Sequence, residues 1–331
     1  MTAPIRVAIA GYGNLGRGTQ AAIKQSPDLR LVCVFSRRDP ASVTLIDPSV
    51  PVYAMDDIAQ YQNDVDVLIL CGGSKSDLPE QGPAFASLFN IVDSFDTHAK
   101  IPEYFEALDA PAKQAGKVAM LSVGWDPGLF SINRLYGEAI LPVGETYTFW
   151  GKGLSQGHSD AVRRVKGVKA GVQYTIPSES AMARVRNGEQ PTLSTREKHT
   201  RECFIVLADG ADADVVRNTI VTMPDYFADY DTQVNFIDQA TFDAEHTKMP
   251  HGGFVIRSGV SGTEAERNNQ VLEFSLALGS NPEFTSSVLV AYARAAYKMN
   301  QAGERGAKTV LDVAPGLLSP KTPAQLRKEL L

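Results

Sequence analysis

An α/β fold is predicted, a doubly wound parallel sheet joined to a second α+β unit, and three observations predict it. An apolar run, Ile5–Ala10, meets the turn Gly11-Tyr12-Gly13-Asn14-Leu15-Gly16, and a helix-like run follows over residues 17–26. Short apolar runs then alternate with amphipathic segments up to about Gly124, the rhythm of strand–helix–strand units. From Trp125 onward the apolar runs become short and alternating, which suits a mixed or antiparallel sheet.

Taken in order, the strands of the first part fall at residues 5–10, 29–35, 65–71, 90–92 and 118–122, with 50–52 as an edge strand. A helix is expected over 102–116, where Tyr104, Phe105, Leu108, Ala112 and Ala115 recur near helical spacing and Gly116 supplies the stop. In the second part the expected strands are 146–150, 203–207, 233–237 and 270–278, with a helix at 212–222. A long helix over 284–300 begins after Asn281-Pro282, closes before Gly303, and is expected to return to the first domain. The expected organisation is a nucleotide-binding domain, residues 1–124 with the returning segment 282–331, and a second domain over 125–281.

Composition narrows the function classes. The chain has 331 residues, enough for two cores, and a net charge of −6 with no long basic run, which argues against a nucleic-acid binder. No apolar stretch approaches the length that crosses a bilayer. The N-terminus runs directly into a strand without a charged-then-apolar leader, so no signal peptide and a cytoplasmic location are expected. The three cysteines are scattered; Cys33 and Cys71 sit inside apolar runs, as buried small side chains do. No cysteine or histidine spacing resembles a metal site, so no metal is expected.

The glycine turn carries the first chemistry. Gly11 permits the tight turn, Gly13 lets backbone approach a pyrophosphate, and Gly16 lets the helix pack closely on the strand. About 20 residues beyond such a turn, NAD-binding chains place a carboxylate on the ribose 2′-hydroxyl. This chain has Ser36-Arg37-Arg38 there, a hydroxyl and two guanidiniums that suit a 2′-phosphate with no acid to repel it. NADP is therefore the expected cofactor.

Ligands of open α/β sheets bind beyond the carboxyl ends of the strands. That rule selects Gly11 to Leu15, Ser36 to Arg38, Cys71-Gly72-Gly73-Ser74, the segment Asp93-Ser94-Phe95-Asp96, and Gly124 to Pro127. Asp96 and Asp126 each follow a strand, and two carboxylates beside a nicotinamide suit a substrate ammonium. Position alone equally fits a helix cap at Asp96 and a turn former at Asp126. Arg201 and His251 are candidates for a substrate carboxylate, yet taken alone they also read as a surface arginine and a loop histidine; His158 is ambiguous in the same way.

The motifs GYGNLGR, VFSRR, VDSFD, SVGWDPGLFSINR, FWGKGLSQGHSDAVRR, TMPDY, NFID, EHTKMPHGG and VLDVAPGLLSP span nearly the whole chain. Together they resemble the meso-diaminopimelate dehydrogenases. That resemblance implies NADP-dependent, reversible oxidative deamination at the D-centre of meso-2,6-diaminopimelate, giving L-2-amino-6-oxopimelate, ammonia and NADPH. It further implies a homodimer and a role in lysine and cell-wall precursor synthesis. Carried onto this sequence, Asp96 and Asp126 would hold the reacting ammonium and help its proton leave. Trp125, Trp150, Leu154, Gln156 and Gly157 would wall that centre, while Thr175, Arg201, His251 and Asn281 would hold the distant L-amino-acid end. The segment 258–269 is expected to be a loop longer than is usual for the family, at the rim of the pocket. Three rival readings are another two-domain NADP oxidoreductase, which would place a lysine or histidine acid near the substrate; a broad D-amino-acid dehydrogenase, disfavoured because Thr175, Arg201 and His251 are all present; and a non-catalytic NADP sensor, which would need no diacid pair.

Overall fold

The computed structural model describes residues 3–331, apart from the side chain of Gln156, and forms two compact units, the first running to Ile132 and including Pro282–Leu331, the second Asn133–Asn281. The first unit opens with β1 (Ile5–Ala10), α1 (Asn14–Lys24), β2 (Leu29–Ser36), β3 (Val52–Ala54), β4 (Val67–Leu70), α2 (Leu78–Ala86), β5 (Asn90–Asp93), α3 (Ile101–Ala115) and β6 (Val118–Met120). Then come α4 (Leu129–Ile140), β7 (Gly144–Trp150), β8 (Gly153–Leu154), α5 (Gln156–Arg163), β9 (Val168–Pro177), α6 (Glu179–Arg186) and α7 (Thr195–Lys198). The chain continues through β10 (His199–Leu207), α8 (Ala213–Val221), β11 (Asp231–Phe236), α9 (Gln239–Glu245), β12 (His251–Gly262) and β13 (Arg267–Leu278), and closes with α10 (Asn281–Gln301), β14 (Gly306–Lys308) and α11 (Pro323–Leu330).

Seven strands of the first unit form one parallel sheet in the order β14-β6-β5-β4-β1-β2-β3, the doubly wound Rossmann-type arrangement. Its strands are apolar on both faces because both are covered. Val7 and Ile9 of β1 point into one core with Leu289, Tyr292 and Ala296 of α10. Ala8 and Ala10 point into the other, with Phe85 of α2 and Leu108 of α3. Helix α10 lies close to α1: a Cβ on Gly18 would come within 3.2 Å of the Pro282 carbonyl, and Thr19 Oγ1 donates to Ser286 Oγ at 3.2 Å. Buried Arg294 anchors the same helix by donating through Nη2 to Asp28 Oδ1 at 2.7 Å.

The second unit holds a four-stranded sheet, β11-β10-β9-β8, and a three-stranded antiparallel one, β13-β12-β7. The segment 258–269 is not a loop. Ser258 pairs with Val271 and Gly262 with Arg267, so it is the far end of the β12–β13 hairpin around a turn at 263–266. Its polar, glycine-containing sequence reads as loop because, beyond buried Ser258 and Gly259, both faces of that hairpin end are exposed from Ser261 onward, and the inward–outward alternation that marks a half-buried strand is absent there.

Candidate functional site

The glycine turn is built as its sequence requires. Gly11 has φ +95° and sits against the end of β4, where a Cβ would lie 3.3 Å from the Cys71 carbonyl carbon. A Cβ on Gly16 would come within 2.3 Å of the Gly11 carbonyl oxygen, so only glycine lets α1 start this close to the turn. Gly13 faces open space, and the first turn of α1 carries neither an acidic residue nor a side-chain cap. Its amides are therefore left for an anion. The turn lies where the strand order reverses, between β1 and β4, in a cleft of about 330 Å³ that Tyr12, Ser36, Arg37, Arg38, Cys71 and Gly73 also line. These residues fit the phosphates of a dinucleotide.

Ser36 ends β2 with its Oγ accepting from the Arg38 amide at 3.0 Å, and Arg38 Nη2 donates to the Tyr12 carbonyl at 2.7 Å. Tyr12 is fixed in turn by a hydrogen bond to Gln20. Arg37 corrects one expectation. An acid does stand in the cleft, because Asp77, forty residues away in sequence, accepts from both terminal nitrogens of Arg37, at 2.8 and 2.9 Å. Asp77 also accepts from the Gly73 amide at 2.8 Å, which shapes the Gly72-Gly73 turn. Burial pushes the Asp77 carboxyl up, but the Gly73 amide and Arg37 outweigh it and hold it below the ordinary range. A fixed carboxylate that presents one guanidinium differs from a carboxylate aimed at the ribose.

The candidate catalytic aspartates leave neighbouring strands, since β5 pairs in parallel with β6. Asp96 is exposed, and its amide donates to Ser74 Oγ at 2.9 Å. It caps neither the 3₁₀ turn at His98–Lys100 nor α3, whose N-cap positions are Thr97 and Lys100 without side-chain bonds. Phe95 turns inward and stacks on Tyr104 with ring centroids 4.2 Å apart, and Ser94 is half-buried beside it. Asp126 lies in a turn closed by Leu129 N to Gly124 O at 3.0 Å and Phe130 N to Trp125 O at 2.8 Å. Gly128 at φ +134° presses on the Gly124 backbone, and Trp125 meets Phe130 edge-on, so the turn presents Asp126 and Pro127 while Trp125 stays buried.

In the second unit six predicted residues converge. Thr175 of β9 and Arg201 of β10 are direct cross-strand partners and are hydrogen-bonded. Gly153 of β8 pairs with Thr175 and lies against the His251 ring. Leu154 N donates to the Pro250 carbonyl at 2.9 Å, and Trp150 pairs with Gly253 in the neighbouring sheet. The Asn281 amide donates to the Met249 carbonyl at 3.0 Å, which brings α10's start to the same segment. Gly157 opens α5 with its Cα exposed; Gln156's side chain lies outside the described residues.

Arg201 is the electrostatic centre of this cluster. It is 6 % exposed, its Nε has no hydrogen-bond partner, and among the described residues no carboxylate lies within ion-pair distance. Its guanidinium carbon sits 3.9 Å from the Tyr230 ring centroid, a contact that supports the charge without neutralising it. Burial lowers its pKa, which still leaves an arginine charged. A buried cation without a counter-ion is costly unless an anion arrives.

The comparisons are consistent along the whole chain. Residues 124–280 match the model of the diaminopimelic acid dehydrogenase C-terminal domain. The meso-diaminopimelate D-dehydrogenase of Lysinibacillus sphaericus is 66% identical over 327 residues, 99% of each chain. This chain belongs to the meso-diaminopimelate dehydrogenase family. Among solved structures, the Corynebacterium glutamicum diaminopimelate dehydrogenase in complex with DAP superposes with TM-score 0.90 at 50% identity, covering all of both chains. An engineered D-amino acid dehydrogenase bound to NADP+ gives 0.84 at 49% identity, covering 99% of this chain and 100% of that one.

In this member of the family the residues that sequence reasoning missed are supports. His199 accepts the Trp150 amide at Nε2, 2.8 Å away, and stacks on its ring with centroids 5.4 Å apart. Burial, with help from Arg201 and Lys198, lowers its pKa to about 4. The unfolded chain takes up a proton below the ordinary 6.5, whereas the folded chain does not until about 4. The stability His199 contributes is therefore present above 6.5 and lost as pH falls through that window, by about 2 kcal/mol at pH 5. His199→Gln keeps an acceptor for the Trp150 amide. Urea unfolding at pH 7 and pH 5 is expected to show a pH-dependent loss smaller by about 1–2 kcal/mol in that variant; an unchanged loss would contradict the buried-neutral assignment.

Proposed function

We propose that the chain catalyses the reversible, NADP-dependent oxidative deamination of meso-2,6-diaminopimelate at its D-centre, giving L-2-amino-6-oxopimelate, which cyclises to tetrahydrodipicolinate, with ammonia and NADPH, in lysine biosynthesis. The observation that carries this reading is the buried, unneutralised Arg201 braced by Thr175 and Tyr230. It suits the carboxylate of a substrate end that does not react. His251 and Asn281 add polar contacts for the same L-amino-acid end. Binding energy gained at that remote end orients the reacting carbon.

The first unit serves as the nucleotide-binding domain and the second as the substrate-binding and dimerisation domain. In the first, the α1 amides and Gly13 would take the pyrophosphate, and Ser36, Arg37 and Arg38 the 2′-phosphate. Bound NADP supplies the hydride acceptor. Asp96 and Asp126 hold the reacting ammonium, take its proton so that the amine lone pair becomes available, and polarise the water that releases ammonia. Trp125, next to Asp126 and largely buried, helps exclude bulk water from that centre.

A homodimer in the cytoplasm accords with two features. Strand β13 is an exposed edge along most of its length and carries Val271 and Leu272, while Leu135, Tyr136, Ile140 and Val143 leave further apolar surface uncovered. No helix among the described residues is long and apolar enough to cross a membrane.

The test is NADPH formation from NADP with the meso, LL and DD isomers separately, and from NAD with the meso isomer. Reduction of NADP with the meso isomer far above the other three combinations is the expected result. Equal rates with the DD isomer would remove the L-end role of Arg201, and equal rates with NAD would remove the 2′-phosphate role of Arg37 and Arg38.

A further inference from the structure

Asp93, the last residue of β5, is fully buried and takes no part in the chemistry described above. Its side chain is nonetheless held by three donors from three parts of the first unit. One oxygen, Oδ1, accepts the amide of Phe95 at 2.9 Å and the amide of Ser122 at 3.1 Å. The other, Oδ2, accepts from the Tyr104 hydroxyl of α3 at 2.8 Å. Phe95 immediately precedes Asp96, and Ser122 begins the segment that leads to Asp126. The Asp93 carbonyl accepts the next amide of that segment, Val123, at 2.8 Å.

A single carboxylate oxygen is thus shared by the two loops that carry the candidate catalytic aspartates. Parallel pairing of β5 with β6 sets the strands side by side, but it ends at Val92 and Met120, short of both loops. Beyond that point Asp93 is the shared support. The segment it holds is also bent: Ser122 has φ +56°, a left-handed conformation that a serine adopts only when its surroundings enforce it. Burial pushes the Asp93 carboxyl up to about 6 despite its three donors, as expected for a group held by hydrogen bonds and remote from water.

We propose that Asp93 is a positioning residue, whose Oδ1 sets the Asp96 loop and the Asp126 loop in register by accepting one amide from each. The inference rests on the reading of Asp96 and Asp126 as the groups that hold the reacting ammonium. It requires an acceptor at one place more than it requires a charge. Asparagine keeps Oδ1 and offers its amide nitrogen to Tyr104 as a donor. Glutamate keeps the charge but moves the oxygens by one methylene. Alanine removes the acceptor.

The experiment compares Asp93→Asn, Asp93→Glu and Asp93→Ala in the full-length protein. The readouts are kcat and KM for meso-diaminopimelate, NADP affinity by fluorescence titration, and thermal unfolding. Asp93→Asn is expected to hold kcat within about tenfold of the unsubstituted protein, and Glu and Ala to lower it ~100-fold or more, the size of a loss from misplaced reacting groups. NADP affinity is expected to stay within about threefold in all three, because the glycine turn is untouched. A folded Glu or Ala variant with undiminished kcat overturns the proposal, as does an Asn variant no better than Glu. If the Ala variant does not fold, the order of Asn over Glu decides. Asp96→Asn and Asp126→Asn are measured alongside. If both retain full turnover, the reading of the aspartates fails and this inference fails with it. If they lose turnover while Asp93→Glu retains it, the inference alone is wrong.

Discussion

Asp96→Asn is expected to lower turnover with meso-diaminopimelate by about 10³-fold while NADP affinity changes by no more than about twofold. The substitution is nearly isosteric and leaves the Asp96 amide free to donate to Ser74 Oγ, so the loop keeps its anchor. The side chain is exposed, and no buried partner is orphaned by its change. What disappears is a carboxylate that takes a proton and forms a charge-assisted bond to an ammonium. Steady-state rates and a cofactor titration on the same preparation check the split. Unchanged turnover would remove Asp96 from the mechanism, and a parallel fall in NADP affinity would show that the loop, not the carboxylate, was the cause.

Arg201→Met should separate the natural substrate from simple D-amino acids. Losing a buried charge-assisted contact to the distal carboxylate is expected to reduce kcat/KM for meso-diaminopimelate ~10²–10³-fold, from a contribution of about 3–4 kcal/mol. D-Alanine has no distal end, and its kcat/KM is expected to move by less than about threefold. The unliganded protein should not be destabilised. Methionine fills similar volume, and the change removes a buried cation that no carboxylate among the described residues neutralises. A lower melting temperature together with an equal loss for both substrates would mean that Arg201 is structural. Raised stability with selective loss of meso-diaminopimelate would fix its role as the receptor for the distal carboxylate.

Much of this protein was legible in local sequence. The doubly wound sheet follows from apolar runs at the spacing of strand–helix–strand units, and β1 falls where its apolar run lies, Ile5–Ala10. Gly11 and Gly16 declare their roles because a positive φ at the one and the Gly11 carbonyl close to the other are constraints set within the turn itself. The long motifs around Trp125 and Trp150 point to the family, and relatives over the whole chain bear that out. The tertiary structure decided what depends on residues distant in sequence. The Asp77 carboxylate meets Arg37 across forty positions, and Asp93 links Phe95 to Ser122 through one oxygen. His199 supports Trp150, and Tyr230 supports Arg201. The segment 258–269 proved to be paired strand because cross-strand register, not periodicity, specifies an exposed hairpin. The physical reason is common to all five: hydrophobic period and backbone constraint act over a few neighbouring residues, whereas a buried charge or a strand partner is satisfied by whichever group the fold brings within about 3 Å.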